Sequence, residues 1–251
     1  MAGVEGQIAL VTGGSQGIGR VTAELLSARG AQVMCVARSE NKLAEVGLEY
    51  AVADMGTAEG CAKAIAETEK RLGLIDIVVC NHGIGSAHER VVWEQGPEIW
   101  NETMRINLDG PFHLSRLVLP GMVERRYGRV VFTSSTAGQN AEPAGSAYNS
   151  SKHGLLGLMR SVAQDGGPFG ITSNAVLPGW VRTEMAERSA TQEAQDRGMT
   201  TDEIWQERAE LYPAGRVVTA LEVAETIAFL ASRESSGVNG EAIKVALGSV
   251  W

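Results

Sequence analysis

The chain has 251 residues, 44% of them hydrophobic and 21% charged, which suits a soluble globular protein with one α/β domain or two small ones. Its net charge of -8 and pI of about 5.1 argue against general binding to nucleic acid or to an anionic membrane. No apolar run approaches the roughly 20 residues of a membrane span and no signal-peptide pattern opens the chain, so a cytoplasmic protein is expected. The three cysteines have no metal-like spacing; Cys35 and Cys80 fall in apolar runs and read as buried free thiols, and no metal site is expected.

Residues 7–12 (QIALVT) are a short β-branched run bounded by glycines, and the pattern predicts a strand. It leads into Gly13-Gly14-Ser15-Gln16-Gly17-Ile18-Gly19 and then a helical period that stops near Gly30. Strands are predicted at 31–37, at 49–53 (ending at Asp54) and at 75–80, with a short helix at 42–46 and a longer one from a Thr57 cap to about Leu72. The alternation continues with a helix over 108–126, a strand over 128–134, a helix over 147–164 and a strand over 171–177. Residues 184–212 are polar and uneven, with few apolar anchors before Ile204 and Trp205, and are expected to form a mobile lid ordered by ligand. A helix at 221–231 and a strand at 241–246 close the pattern. Strands alternating with helices imply right-handed parallel crossovers, hence one doubly wound, mostly parallel α/β sheet of about seven strands in a single domain.

A glycine-rich turn between a strand and a helix lets backbone amides approach a pyrophosphate at the helix N-terminus. The glycine spacing here is one residue longer in its first gap than the usual dinucleotide fingerprint. At the tip of the second strand an acidic side chain would bind the ribose hydroxyl of NAD, and an arginine would accommodate the extra phosphate of NADP. The strand ends Val36-Ala37-Arg38-Ser39, with no carboxylate, so NADP(H) is favoured and NAD(H) stays open.

In Tyr148-Asn149-Ser150-Ser151-Lys152 a helix would place the tyrosine and lysine on one face, about a turn apart. Lowering a phenol pKa from ~10 to about 7 needs roughly 4 kcal/mol, at ~1.36 kcal/mol per unit. An ammonium at about 4 Å supplies a similar amount at an effective dielectric of about 20, so the pair suffices for general acid/base work.

Taken together, these residues resemble the short-chain dehydrogenase/reductase family in its single-domain Rossmann form, over nearly the whole chain. Thr12 to Gly19 is similar to the family's cofactor loop, and Asp54, followed by Met55, occupies the position whose side chain meets the adenine. Asn81-His82-Gly83 stands where the family usually has Asn-Ala-Gly beside the cofactor. Asn107, Ser135, Tyr148 and Lys152 match its catalytic Asn, Ser, Tyr and Lys, and Pro178-Gly179-Trp180-Val181-Arg182-Thr183 resembles the segment whose Val backbone and Thr side chain hold the nicotinamide amide. The resemblance implies that Ser135 holds the substrate oxygen, Tyr148 moves the proton, Lys152 binds the nicotinamide ribose and lowers the Tyr148 pKa, and Asn107 positions a water that replenishes the proton. Ser134 competes with Ser135, but the thirteen-residue spacing to Tyr148 selects Ser135, and strand alternation sends Ser134 to the opposite face.

The expected reaction interconverts a small carbonyl compound and its alcohol by hydride transfer. A 3-oxoacyl-thioester reductase acting on a carrier protein or CoA is the alternative, with Arg125, Arg126 and Arg129 as candidate carrier contacts, although the turn at 166–170 has no cation where such reductases often have one. A silent nucleotide-binding scaffold is a further alternative. His82 reads either as a structural histidine or as a donor to substrate; Trp180 and Trp205 could wall the substrate site, with Gln139, Asn140 and Glu142 as polar contacts. Val245-Ala246-Leu247-Gly248 departs from the family's usual Val-Asp-Gly-Gly, which puts the usual tail packing in doubt. The resemblance also implies a homotetramer built through the two long central helices.

Overall fold

Strand β1, Ile8–Thr12, is completely buried beyond its first residue, and so are the four residues of β4, Ile77–Cys80. Burial on both faces is the mark of a parallel sheet covered by helices on either side. A computed structural model describing residues 3–86 and 89–249 shows that sheet. Its seven strands, all paired in parallel, run in the order β3-β2-β1-β4-β5-β6-β7. The others are β2 (Gln32–Ala37), β3 (Glu49–Val52), β5 (Gly128–Thr133), β6 (Ile171–Pro178) and β7 (Ala242–Val245).

Alternation along the strands divides the core in two. Leu10, Val78 and Val130 point to a layer with Ala64 of α3 (Ala58–Arg71), Leu114 of α5 (Gly110–Arg125) and Met159 of α6 (Ser146–Gly166). Ala9, Val11, Val79 and Val131 point the other way, against Leu26 of α1 (Gly17–Ala28) and Val223 and Ile227 of α9 (Ala220–Ala231). Burial of each large side chain contributes about 1.5–3 kcal/mol, so neither layer is dispensable. The short α2, Glu40–Ala44, links β2 to β3.

Three segments differ from the expectation. The helix predicted over 108–126 begins earlier: α4 (Pro97–Met104) runs through a π-turn, Arg105–Asp109, into α5. The sequence conceals α4 because it buries only Thr103 and leaves Trp100 39% exposed, so no apolar stripe marks it. Residues 184–212, read as polar and uneven and given no element from the sequence, hold a helical hairpin, α7 (Glu184–Arg197) and α8 (Thr201–Glu210), turned by Gly198 at φ +65. Its anchors are small: Ala186, Ala190 and Ala194, four residues apart, pack with Ile204 and Trp205. At the tail β7 pairs with β6, while Leu247 takes φ +48, a backbone region better suited to the glycine usual there.

The winding reverses between β1, next to β2, and β4. A crevice opens at the carboxyl ends of the strands at such a point, and the glycine loop, Arg38, Asp54, Asn81, Ser135 and Gly179 all follow strand ends there. No helix among the described residues is long and apolar enough to cross a membrane.

Candidate active site

The first wall of the crevice is made mostly of backbone. Gly13 and Gly17 take φ +65 and +55, conformations open chiefly to glycine. A Cβ on Gly19 would collide with the Gly13 carbonyl oxygen and with Nδ2 of Asn81. The Thr12 hydroxyl donates to the Val79 carbonyl (3.1 Å) and accepts from the Asn81 amide (3.0 Å), tying the loop to the end of β4. Ser15 is buried, and Gln16, the N-cap of α1, makes no capping bond; its side-chain oxygen instead accepts from Lys42 (2.5 Å). With no side chain closing the start of α1, the loop and Ile18 present a helix N-terminus suited to a pyrophosphate.

Arg38 and Ser39 lie exposed at the tip of β2, and Arg38 forms no ion pair among the described residues. At the tip of β3, the Asp54 carboxylate accepts from the Gly56 amide and from Arg105, each at 3.0 Å. Burial works against its ionisation, but those two donors and the nearby Arg38 outweigh it and hold the pKa below the usual carboxylate range. Met55 is buried beneath it.

The groups expected to react sit at the seam. The Ser135 hydroxyl accepts from the Ala137 amide (3.1 Å) and meets the Tyr148 phenol, whereas Ser134 points away and donates to the Lys152 carbonyl (3.1 Å). Lys152 is buried, its Nζ donating to the Thr133 carbonyl (2.9 Å) and lying 5.7 Å from the centroid of the Tyr148 ring. The expected electrostatics are reversed here. Burial pushes Tyr148 up to about 12, the Ser135 hydrogen bond opposes it, and Glu142 and Glu89 raise it further. Burial also pushes Lys152 down to about 8. Desolvation penalises the charged form of both groups, and it exceeds the attraction that the spacing suggested.

Asn107 lies in the π-turn, a distortion frequent at functional sites. Its carboxamide accepts from the Ile84 amide (2.8 Å) and donates to the Ile84 carbonyl (2.9 Å) and Ser151 Oγ (3.2 Å). It thus clips down the segment after β4. A Cβ on Gly83 would come within 3.1 Å of Asn107 Oδ1 and 3.6 Å of Lys152 Nζ, so Gly83 keeps that corner open.

Beyond Pro178 at the end of β6, Gly179 passes under Tyr212, whose hydroxyl accepts from the Trp180 amide (2.5 Å). Val181 forms a bridge with Val218, and the Thr183 hydroxyl caps α7 by accepting from the Ala186 amide (3.4 Å). The Thr183 side chain reaches the glycine loop, where a Cβ on Gly17 would meet its Cγ2 at 3.2 Å.

A cavity of about 560 Å³ adjoins these groups, lined among others by Glu89, Thr136, Glu142, Trp180, Arg208 and Tyr212. Of the substrate-side candidates, Trp180, Asn140 and Glu142 line it. Trp205 lies inside the hairpin, 5% exposed, its indole N–H donating to Glu187 (2.8 Å) and its ring edge-on to Trp180 at 6.4 Å. Gln139 is exposed to solvent away from the cavity lining. His82 turns inward: Nδ1 lies 2.8 Å from Thr12 Oγ1, Nε2 faces Gly110, and burial pushes its pKa down to about 3, which favours the structural reading over that of a donor to substrate.

Sequence reasoning missed Glu89, Arg208 and Tyr212. Arg208 is buried, lies 3.7 Å over the Trp180 ring and pairs with Glu193 at 2.8 Å. These contacts join residues far apart in the chain, and no local pattern announces them. Arg125 ends α5, Arg126 follows it and Arg129 lies at the start of β5, the opposite end of that strand from Ser135, and each donates to a main-chain carbonyl.

The family profile described as Enoyl-(Acyl carrier protein) reductase matches residues 13–249 of the chain. The 3-oxoacyl-(acyl-carrier-protein) reductase FabG of Escherichia coli (strain K12) is 35% identical over 250 residues, covering 96% of each chain. Among solved structures, levodione reductase is similar with a TM-score of 0.93 at 30% identity, covering 97% of both chains. A variant of actinorhodin polyketide ketoreductase, solved with NADPH, gives 0.91 at 32% identity, covering 99% of this chain and 98% of its own.

Proposed function

The chain belongs to the short-chain dehydrogenase/reductase family of oxidoreductases, and from that premise we propose that it is an NADP(H)-dependent reductase interconverting a free small ketone or aldehyde and its alcohol. The observation that carries this reading is the meeting of Ser135 and Tyr148 beside the cavity, with burial holding the phenol protonated, its pKa at about 12. In reduction, Ser135 holds the carbonyl oxygen and Tyr148 gives it a proton; in oxidation, Tyr148 takes the proton back as phenolate. A bound nicotinamide supplies the hydride in one direction and accepts it in the other. The glycine loop with Ser15 and Ile18 would hold its pyrophosphate, Asp54 its adenine, and Asn81, Gly83, Lys152, Val181 and Thr183 its nicotinamide half. Tyr148→Phe keeps the ring and loses the proton, so turnover should fall by about 10²–10⁴-fold while NADPH binding is kept; retained turnover would refute the assignment.

NADP(H) preference is supported by Arg38, which forms no ion pair among the described residues, and by the NADPH in the actinorhodin ketoreductase structure. Arg38→Asp should lower the ratio of NADPH to NADH turnover by roughly ten-fold or more, since it replaces a phosphate-binding cation by a ribose-binding carboxylate. An unchanged ratio would remove the basis for the preference.

A carrier-linked substrate is the second reading, favoured by the name of the Escherichia coli relative. Against it, the cavity is lined by Glu89, Glu142, Glu193, Asp196 and Glu207, and Arg208, the one cation among the described lining residues, is already paired with Glu193. That wall suits a neutral ketone better than a substrate brought on a phosphate-bearing arm. Turnover of a panel of ketones and acyl thioesters, followed by NADPH absorbance, separates the two. Exposed Val92, Trp93, Trp100 and Phe112, on and just before α4 and α5, support a homotetramer through the central helices, which light scattering would test. The buried free cysteines suit a cytoplasmic setting.

A further inference from the structure

The helix that carries Tyr148 lacks a cap of its own. Gly145, the N-cap of α6, has no side chain to offer the first-turn amides, and such amides cost free energy when left unpaired away from water. The partner comes from far along the chain. One oxygen of the Glu89 carboxylate accepts from the Ala147 amide and the other from the amide of Tyr148 itself, each at 2.7 Å. These are short, charge-assisted bonds, and they lie at the positive end of a 21-residue helix.

Glu89 belongs to the segment after β4, whose other end is held by Asn107 through both polar groups of Ile84. The segment is therefore fastened to the catalytic elements at two points. Glu89 also lines the substrate cavity, so its side chain lies where substrate, helix and phenol come together. A carboxylate bonded to the main chain of the acid residue fixes where that residue starts, and from there where its hydroxyl ends. Resting on the reading of Tyr148 as the acid and base, we infer that Glu89 is a positioning residue that anchors Tyr148 and, through its negative charge, sets the phenol's readiness to part with its proton.

The groups that act on the phenol are few. Ser135 hydrogen-bonds it, Glu142 and Glu89 raise its pKa, and Lys152 lies beyond the ring, donating to Thr133. Glu89 is itself half-buried, and burial raises its pKa while the two amides pull it down. A helix cap with no further role would change stability alone. A group that also tunes the acid would move the titration of one tyrosine.

The test needs no substrate. Phenolate absorbance is followed against pH in the full-length protein and in Tyr148→Phe, and the difference gives the titration of Tyr148 among the four tyrosines. The same pair is then made on a Glu89→Gln background. The substituted carboxamide is neutral and can accept from only one of the two amides, so the Tyr148 pKa should fall by roughly half a unit. NADPH affinity should stay within about two-fold, since Glu89 bonds neither the glycine loop nor Arg38. An unchanged Tyr148 titration with a lowered melting temperature would reduce Glu89 to a helix cap and overturn the inference. If Glu89→Gln does not fold, Glu89→Asp takes its place: the shorter side chain withdraws the charge, and a smaller downward shift is expected, with none overturning the inference. Because the titration is independent of turnover, it stands even if the proposed substrate class fails, and Tyr148→Phe turnover tests the acid itself.

Discussion

The two walls of the crevice reach the same end by different means. On the β1–β3 side the contacts belong to the backbone: positive-φ glycines, a helix start without a cap, and a threonine hydroxyl bridging two strand ends. On the α7–α8 side they belong to long side chains: Arg208 between Trp180 and Glu193, Trp205 on Glu187, and Tyr212 on the Trp180 amide. A backbone wall admits little variation in shape, which suits what is constant in the proposed reaction, the cofactor. A wall of paired side chains can change partner by partner, which suits the variable part of the proposed reaction, the substrate. Ser135 and Tyr148, the proposed reacting pair, sit where the two meet.

Gly19→Ala is the most damaging way to break the first wall. Its methyl would meet the Gly13 carbonyl oxygen and Asn81 Nδ2, neither of which can move without pulling the loop from β4. Overpacking of this kind costs about 1–3 kcal/mol, and the distorted loop should lower NADPH affinity by roughly a hundred-fold, a loss of about 2.7 kcal/mol. Isothermal titration with NADPH measures it. A variant that binds normally would show that the loop tolerates side chains and that the contrast between the walls is overstated.

The same contrast explains what could be read in advance. A glycine demanded by a turn, a strand buried on both faces and a Tyr-Lys pair at helical spacing are local constraints, and each leaves its mark within a few residues. All seven strands and the Tyr148–Lys152 pair follow from such marks, while Ser135 comes from the resemblance to the family and its spacing to Tyr148. The α7–α8 hairpin left almost none, because its buried face is made of Ala186, Ala190 and Ala194 under a polar exterior. Glu89 left none at all, since its partners Ala147 and Tyr148 are 58 and 59 residues away. The titration of the seam was misjudged because spacing reports the distance between two charges but not the water removed from around them.

That seam offers a second, smaller measurement. Lys152 has its pKa lowered to about 8 from an ordinary 10.5. Between those values the unfolded chain holds a proton on this lysine that the folded chain has lost, so folding stability rises with pH across the window. The slope is at most about 1.4 kcal/mol per pH unit. Above pH ~10 the raised pKa of Tyr148 acts in the opposite sense, because the unfolded tyrosine ionises before the folded one. Denaturant unfolding of the wild type and Lys152→Met should therefore diverge in favour of the wild type from pH 8 upward. Parallel curves would mean that the lysine keeps its full charge in the fold.

The smallest expected effects come from the helix starts, and they mark the division most directly. On the side-chain wall α8 closes its own N-terminus: the Thr200 hydroxyl accepts from the Glu203 amide (3.2 Å) while the Glu203 carboxylate accepts from the Thr200 amide (2.8 Å). Thr200→Ala should cost about 1 kcal/mol of stability and leave NADPH affinity unchanged. On the backbone wall α1 begins at Gln16 with no such cap. Gln16→Asp would supply one, stabilising the cofactor-free protein by about 0.5–1 kcal/mol. It would also set a carboxylate on the amides that a pyrophosphate needs, so the added thermal stability that NADPH gives should shrink. Paired melts with and without NADPH read both terms at once. If Gln16→Asp gains stability and keeps the full NADPH shift, the start of α1 is an ordinary uncapped helix, and the pyrophosphate is held elsewhere in the loop.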